Sequence, residues 1–104
     1  MFEYEIKKPS GKVKIVIDAY FNYNTVLYTV RDVLTCATRK RKWVSTASMI
    51  RDRYEYRQLD LDARSEYAKT EYLKICTEDD IAAALRTAYE KMKPTERNTI
   101  FRVL

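Results

Sequence analysis

Histidine is absent from the sequence, glycine occurs once, and proline and cysteine occur twice each. Without histidine, the chain lacks the commonest general base at neutral pH and cannot form Ser-His or Cys-His nucleophile pairs. Two cysteines are too few for a four-thiolate zinc site, and mixed cysteine-histidine zinc sites are excluded. One glycine, Gly11, cannot supply a glycine-rich phosphate loop. The sequence therefore predicts a protein that is not an enzyme and that uses no cofactor or metal.

Long apolar runs are also missing, since no stretch approaches the ~20 apolar residues of a membrane helix. The first eight residues, MFEYEIKK, carry acidic side chains where a secretion signal needs basic ones. Cys36 and Cys76 lie far apart and do not form a disulfide framework, so we expect two reduced, partly buried thiols. These features predict a cytoplasmic protein that makes no membrane contact.

The composition favours one folded unit spanning residues 1–104. Hydrophobic residues make up 46% of the chain and charged residues 34%, which is unlike a disordered or low-complexity segment. A chain of 104 residues is long enough to bury a core without metals or disulfides.

Charge is distributed unevenly along the chain. Residues 31–57 carry eight basic side chains against three acidic ones, so this segment holds as much net charge as the whole protein, which is +5. Residues 58–80 carry seven acidic side chains against three basic ones. A concentrated basic segment attracts phosphates, acidic lipid headgroups or acidic protein surfaces.

Two segments near the start alternate apolar and polar residues with period two, which predicts a β-hairpin. The apolar members are Phe2, Tyr4 and Ile6 in the first segment and Val13, Ile15 and Ile17 in the second. Pro9-Ser10-Gly11 favours a turn between them. A three-residue loop would place Ile6 opposite Lys14, whereas a loop of two or four residues keeps apolar side chains opposite each other. Because a one-residue slip turns a whole apolar face away from the core, we expect the latter.

Four helices are expected after the hairpin. The first begins at Asn24 or Thr25 and ends at the basic run 39–42, because its apolar residues are spaced three and four apart. These apolar residues are Val26, Leu27, Val30, Val33, Leu34 and Ala37. The second helix is capped by Ser45, Thr46 or Ser48, and the sequence Leu59-Asp60-Leu61-Asp62 starts the third.

The fourth helix has the clearest signals, running from about Glu78 to Lys93. Thr77 caps it, Asp80 takes the capping-box position three residues later, and Pro94 stops it. The β-prone residues 99–104 can add a third strand beside the hairpin. The expected fold is α+β, with the order ββααααβ and three or four helices packed on one face of a small antiparallel sheet.

The sharpest functional feature is the basic segment 39–57. Arginine forks to phosphate or to a guanine edge, lysine attracts phosphate as a point charge, and tryptophan or tyrosine can stack on a base. The candidate binding residues are Arg39, Lys40, Arg41, Lys42, Trp43, Arg51, Arg53, Tyr56 and Arg57. The competing interpretation is that residues 39–42 only favour a helix C-terminus and that Trp43 belongs to the core.

Two acidic features are candidate metal sites. Glu5-Ile6-Lys7 with Asp18 has the composition of a magnesium-dependent nuclease hairpin, but it is also what an alternating solvent face contains. Glu78-Asp79-Asp80 is fully accounted for as a helix N-terminus.

Two functions of different class follow. The first is a small non-enzymatic module that binds nucleic acid through residues 39–57. The alternative is a protein-binding inhibitor or adaptor, for example a viral anti-defence protein, that docks on a larger nucleic-acid-handling enzyme through its tyrosine-rich, charge-divided surface.

Overall fold

The structure is a computed structural model that describes residues 1–22, 25–92 and 98–103. Its elements, in chain order, are strands β1 (Phe2–Lys8), β2 (Gly11–Asn22), β3 (Thr25–Ala37) and β4 (Val44–Ser45), helices α1 (Thr46–Arg51), α2 (Tyr54–Arg57), α3 (Leu61–Leu73) and α4 (Glu78–Met92), and strand β5 (Asn98–Val103). The α+β class expected from the sequence is therefore confirmed.

The sheet is built on an antiparallel meander of β1, β2 and β3. The free side of β3 is shared by two strands: β4 pairs antiparallel with Leu34 and Thr35, and β5 pairs parallel with Thr25–Val30. The sheet is thus mixed rather than wholly antiparallel, and the C-terminal strand lies beside β3 instead of beside the hairpin. The parallel pairing follows from the connection, because the helices carry the chain back to the starting end of β3.

The hairpin register agrees with the expectation from the apolar pattern. Lys8 pairs with Gly11 across a two-residue Pro9-Ser10 loop, and Ile6 faces Val13. Apolar side chains therefore stay opposite each other on the face that packs against the helices.

The first predicted helix is wrong, because residues 25–37 form strand β3. A β-bulge explains the error. Val16 of β2 pairs with Asp32 and the next residue, Ile17, pairs with Val30, so Arg31 is an extra residue in β3. The insertion shifts a period-two pattern by one, and it gives the buried Val26, Val30 and Val33 helix-like spacings of four and three. The abundance of Val, Thr and Tyr in this segment is the signal for a strand.

The remaining helices lie near their expected positions. The second predicted helix is broken into α1 and α2, with Ser45 capping the first through a hydrogen bond from the Ser48 amide (3.1 Å). Asp60 caps α3, accepting from the Ala63 amide at 2.9 Å. The α4 capping box is complete: the Thr77 hydroxyl accepts from the Asp80 amide (3.1 Å), and the Asp80 carboxylate accepts from the Thr77 amide (3.0 Å).

One hydrophobic core joins the helices to a single face of the sheet. It contains Val13, Ile15, Ile17, Val26, Tyr28, Val30 and Val33 from the strands, and Ile50, Ala68, Tyr72, Cys76, Ile81, Ala84, Leu85 and Ala88 from the helical half. This arrangement confirms the expected packing of helices on one face. Among the described residues, no helix is long and apolar enough to cross a membrane.

Candidate nucleic-acid interface

The basic run 39–42 lies in the connection between β3 and β4, where all four side chains are exposed and the following Trp43 is half-buried. Because β3 is antiparallel to β2, the end of β3 lies beside the start of β2, and Ala37 pairs with Gly11. The basic connection therefore emerges next to the turn of the N-terminal hairpin.

Backbone contacts fix the two turns against each other. The Thr38 amide donates to the Ser10 carbonyl at 3.2 Å, and the Lys40 amide donates to the Ala37 carbonyl at 2.9 Å. The Cys36 thiol donates to the Lys40 carbonyl at 3.0 Å. These bonds hold the start of the basic run in place before its charged side chains reach solvent.

Gly11 permits this close approach. Its φ of +148° is one that other residues rarely adopt, and a Cβ at this position would lie 2.2 Å from the Cys36 carbonyl oxygen. The only glycine in the chain therefore stands where two backbone segments meet under the candidate site.

Between the two turns lies an open cavity of about 600 Å³. Its walls carry basic side chains from two segments that are distant in sequence, together with an indole ring. Its basic and aromatic lining residues are Lys7, Lys8, Lys12, Lys40, Arg41 and Trp43. We call this surface the basic cavity.

Most of the positive charge in the basic cavity has no ion-pair partner among the described residues. Lys8 pairs with Asp80 at 3.1 Å. Within the described part of the chain, the other four basic side chains of the cavity form no ion pair, and Lys7 and Lys12 lie directly opposite each other on β1 and β2. Like charges in cross-strand positions repel each other, so this pair destabilises the folded state.

Trp43 is positioned by a fifth lysine. The Lys14 ammonium lies 4.2 Å from the centroid of the indole ring and 3.5 Å from the Glu3 carboxylate. A cation over an aromatic face is attracted by the ring quadrupole, and this contact orients the indole, which also lines the cavity. Trp43 is thus not a member of the hydrophobic core.

Residues 51–57 occupy a different part of the molecule, and no described contact joins them to the basic cavity. Arg53 is engaged internally: one guanidinium nitrogen donates to the Glu71 carboxylate (2.7 Å) and to the Tyr67 hydroxyl (3.1 Å). Tyr56 packs against the core, with its ring centroid 5.6 Å from that of Tyr67. These two residues have structural partners that account for their presence.

Arg51 and Arg57 are exposed and have weaker contacts. Arg51 donates to the Ser48 hydroxyl at 3.1 Å, and Arg57 donates to the Asp52 carbonyl at 3.5 Å. The sequence-predicted site therefore divides. Lys40, Arg41 and Trp43 line the basic cavity. Arg39 and Lys42 are exposed in the same connection but do not line the cavity, and residues 51–57 lie in the α1–α2 region.

The residues that sequence reasoning missed are the hairpin lysines. Lys7, Lys8 and Lys12 flank the turn and line the basic cavity together with the predicted residues. Their charges were visible in the sequence, but only the pairing of β2 with β3 brings the hairpin turn to the basic run.

Within the described ranges, the two acidic features do not bring three or more potential metal ligands together. Glu5 lies opposite Lys14 in the register of β1 and β2, and Asp18 lies four residues beyond Lys14 along β2. Glu5 and Asp18 are therefore separated by about 13 Å along the strand direction. Asp18 is paired instead with Arg31 at 3.1 Å. Asp80 is used by the capping box and by Lys8, and both interactions lower the pKa of its carboxyl.

Comparison with known proteins gave no relatives: no protein-family model, no curated protein and no solved structure matches this chain.

Proposed function

We propose that this protein is a non-enzymatic module that binds nucleic acid through the basic cavity. The observation that carries the proposal is the convergence of Lys7 and Lys12 from the hairpin with Lys40 and Arg41 from the β3–β4 connection, without acidic partners among the described residues. A polyanion would offset the repulsion between these groups by replacing it with attraction to phosphates.

The shape of the surface suits a phosphate backbone. The cationic groups come from separate segments and surround an open cavity rather than forming one exposed run, so a strand lying across it meets charge on both sides. Lysines act as point charges toward phosphates, while the Arg41 fork can bind two oxygens of one phosphate. Backbone contacts of this kind give affinity with little dependence on base sequence.

Trp43 supplies the second element of such a site. Its indole lines the same cavity as the phosphate-binding side chains, so a base of a bound strand can stack against it. Stacking on an aromatic ring contributes about 1–3 kcal/mol per base and requires an unpaired base. We therefore expect single-stranded nucleic acid to bind more tightly than a duplex of the same length.

Fluorescence anisotropy with a labelled single-stranded oligo-dT of about 16 nucleotides tests the proposal. The logarithm of the affinity should fall linearly with the logarithm of salt concentration between about 50 and 200 mM. In the double variant Lys12→Glu/Lys40→Glu, the slope should fall by about 1.4, because each phosphate contact to a single strand contributes about 0.7.

The matched control is Lys69→Glu/Arg86→Glu, which changes the net charge by the same amount on helices α3 and α4. Neither residue lines the basic cavity. The control should keep most of the slope and affinity. No binding by the wild-type protein at low salt, or equal losses in both double variants, would overturn the proposal.

A further inference from the structure

A second cavity, of about 290 Å³, lies between helices α1, α2 and α3 and the bulged part of β3. Its apolar floor is formed by Ile50, Ala68 and Tyr72, which are all buried core residues. Leu61 stands at its margin with 79% of its surface exposed. Most of its apolar side chain is therefore open to solvent in the first turn of α3.

Three arginines surround this apolar floor: Arg31, Arg51 and Arg64. Arg31 is paired with Asp18 at 3.1 Å. Arg51 and Arg64 form no ion pair with any described residue, so the cavity carries two uncompensated positive charges at its margin.

Arg64 is held in place without being fully satisfied. One terminal nitrogen of its guanidinium donates to the Arg57 carbonyl at 3.0 Å, and the group lies 5.2 Å from the centroid of the Tyr56 ring. Its Nε atom is buried and has no hydrogen-bond partner among the described residues. A buried donor without an acceptor costs about 1–3 kcal/mol, a cost that the described residues leave uncompensated.

We propose that this cavity binds an acidic peptide segment of a partner protein. An aliphatic side chain of the peptide packs on Ile50 and Ala68, beside the exposed Leu61, and flanking carboxylates accept hydrogen bonds from Arg51 and Arg64. The arrangement matches the usual anatomy of an interface anchor, in which an apolar side chain fills a pocket and charged groups surround it.

The surroundings favour a peptide over a nucleic-acid strand. The volume is at the lower end of ligand pockets, which suits one anchoring side chain. Tyr56, which lines the cavity, is contacted by Arg64 at 5.2 Å from its ring centroid and by the Tyr67 ring at 5.6 Å. The buried apolar floor has no counterpart on a phosphate backbone. This binding surface is separate from the basic cavity and does not depend on nucleic-acid binding.

The test is an NMR titration of the isotope-labelled full chain with the capped peptide Glu-Asp-Leu-Asp-Glu. We expect shifts at the Arg64 Nε–H and at the amides of Leu61 and Arg51, saturating with peptide concentration. The peptide Glu-Asp-Ser-Asp-Glu, which keeps the charge but lacks the aliphatic anchor, should bind about tenfold more weakly. Arg51→Glu should weaken binding of the leucine peptide by at least a similar factor, whereas Arg86→Glu should leave it unchanged.

Three outcomes would overturn the proposal. The first is equal affinity for the leucine and serine peptides, and the second is an equal effect of Arg51→Glu and Arg86→Glu. The third is that oligo-dT, and not the peptide, shifts the Arg64 Nε–H, which would assign the cavity to nucleic acid. Failure of oligo-dT to bind the wild-type protein at low salt, or equal losses in Lys12→Glu/Lys40→Glu and Lys69→Glu/Arg86→Glu, would instead contradict only the proposed nucleic-acid function.

Discussion

The Arg53 guanidinium lies 2.7 Å from the Glu71 carboxylate. This ion pair joins Arg53, which lies between α1 and α2, to the last turn of α3. The Tyr67 hydroxyl accepts from the same guanidinium nitrogen at 3.1 Å. Tyr67 in turn donates to Glu55 at 2.9 Å. The short helices α1 and α2 are thus held against α3 by a network of polar contacts centred on Arg53.

Arg53→Ala should lower the free energy of unfolding, because it leaves Glu71 half-buried without its closest partner. Binding of oligo-dT should be unchanged in the same variant, since Arg53 does not line the basic cavity. Urea unfolding followed by circular dichroism measures the first effect and anisotropy the second. Arg57→Ala is the control and should keep wild-type stability. If folded Arg53→Ala bound oligo-dT more weakly than the wild type, Arg53 would belong to the nucleic-acid site, contrary to this prediction.

The same network predicts acid sensitivity. Burial disfavours the charged form of Glu71, but hydrogen bonds from Arg53 and Lys74 outweigh this effect and lower the pKa below its ordinary value of 4.5. Because the folded-state pKa is depressed, this contribution to stability is present above the unfolded-state pKa and is lost as pH falls through the folded-state pKa. Urea unfolding below about pH 5 should therefore show a smaller acid-induced loss in Glu71→Gln than in the wild type. Parallel stability curves for the two proteins would contradict this account.

Gly11→Ala should cost at least about 1–3 kcal/mol of stability, because an added Cβ would collide with the Cys36 carbonyl and the residue would keep a strained φ. The substitution should also weaken oligo-dT binding, since it separates the hairpin turn from the basic run. Ser10→Ala, one residue earlier, is the control for both measurements. A variant at Gly11 that is as stable and as tight-binding as the wild type would show that the two turns need not meet.

Two substitutions distinguish the buried face of β3 from its opposite face. Val33 is fully buried in the core and Leu34 is half-buried on the opposite face of the strand. Val33→Ala should cost about 2 kcal/mol or more. Leu34→Ala should cost less, although it removes more of the side chain. On a helix both residues would lie on one buried stripe, so equal or reversed losses in urea unfolding would contradict the strand.

Where the expectations from sequence held, local chemistry was sufficient. The start of α4 depends on Thr77 and Asp80, which act within its first turn, whereas the predicted stop at Pro94 lies outside the described residues. The hairpin register depends on facing apolar side chains a few residues apart. In both cases the residues that decide the structure are near neighbours in the chain.

Where the expectations failed, the deciding contact was distant. Nothing near Arg31 in sequence reveals that it is a bulge, because the extra residue is defined only by the pairing of β2 with β3. The role of Arg53 depends on Glu71, which is 18 residues away. Secondary-structure propensity and periodicity describe each segment alone, so they cannot identify partners that are distant in sequence.

The sequence by itself determined the α+β class and the last two helices, α3 and α4. It also contains a basic run that ends in a tryptophan. These features follow from composition, caps and periodicity, which act over a few residues. Only the tertiary structure decided that Lys7 and Lys12 share a surface with Lys40, Arg41 and Trp43, while Arg53 does not. The physical reason is that strand pairing fixes which loops meet, and a side chain's function depends on the charges and acceptors that the fold brings within a few ångströms of it.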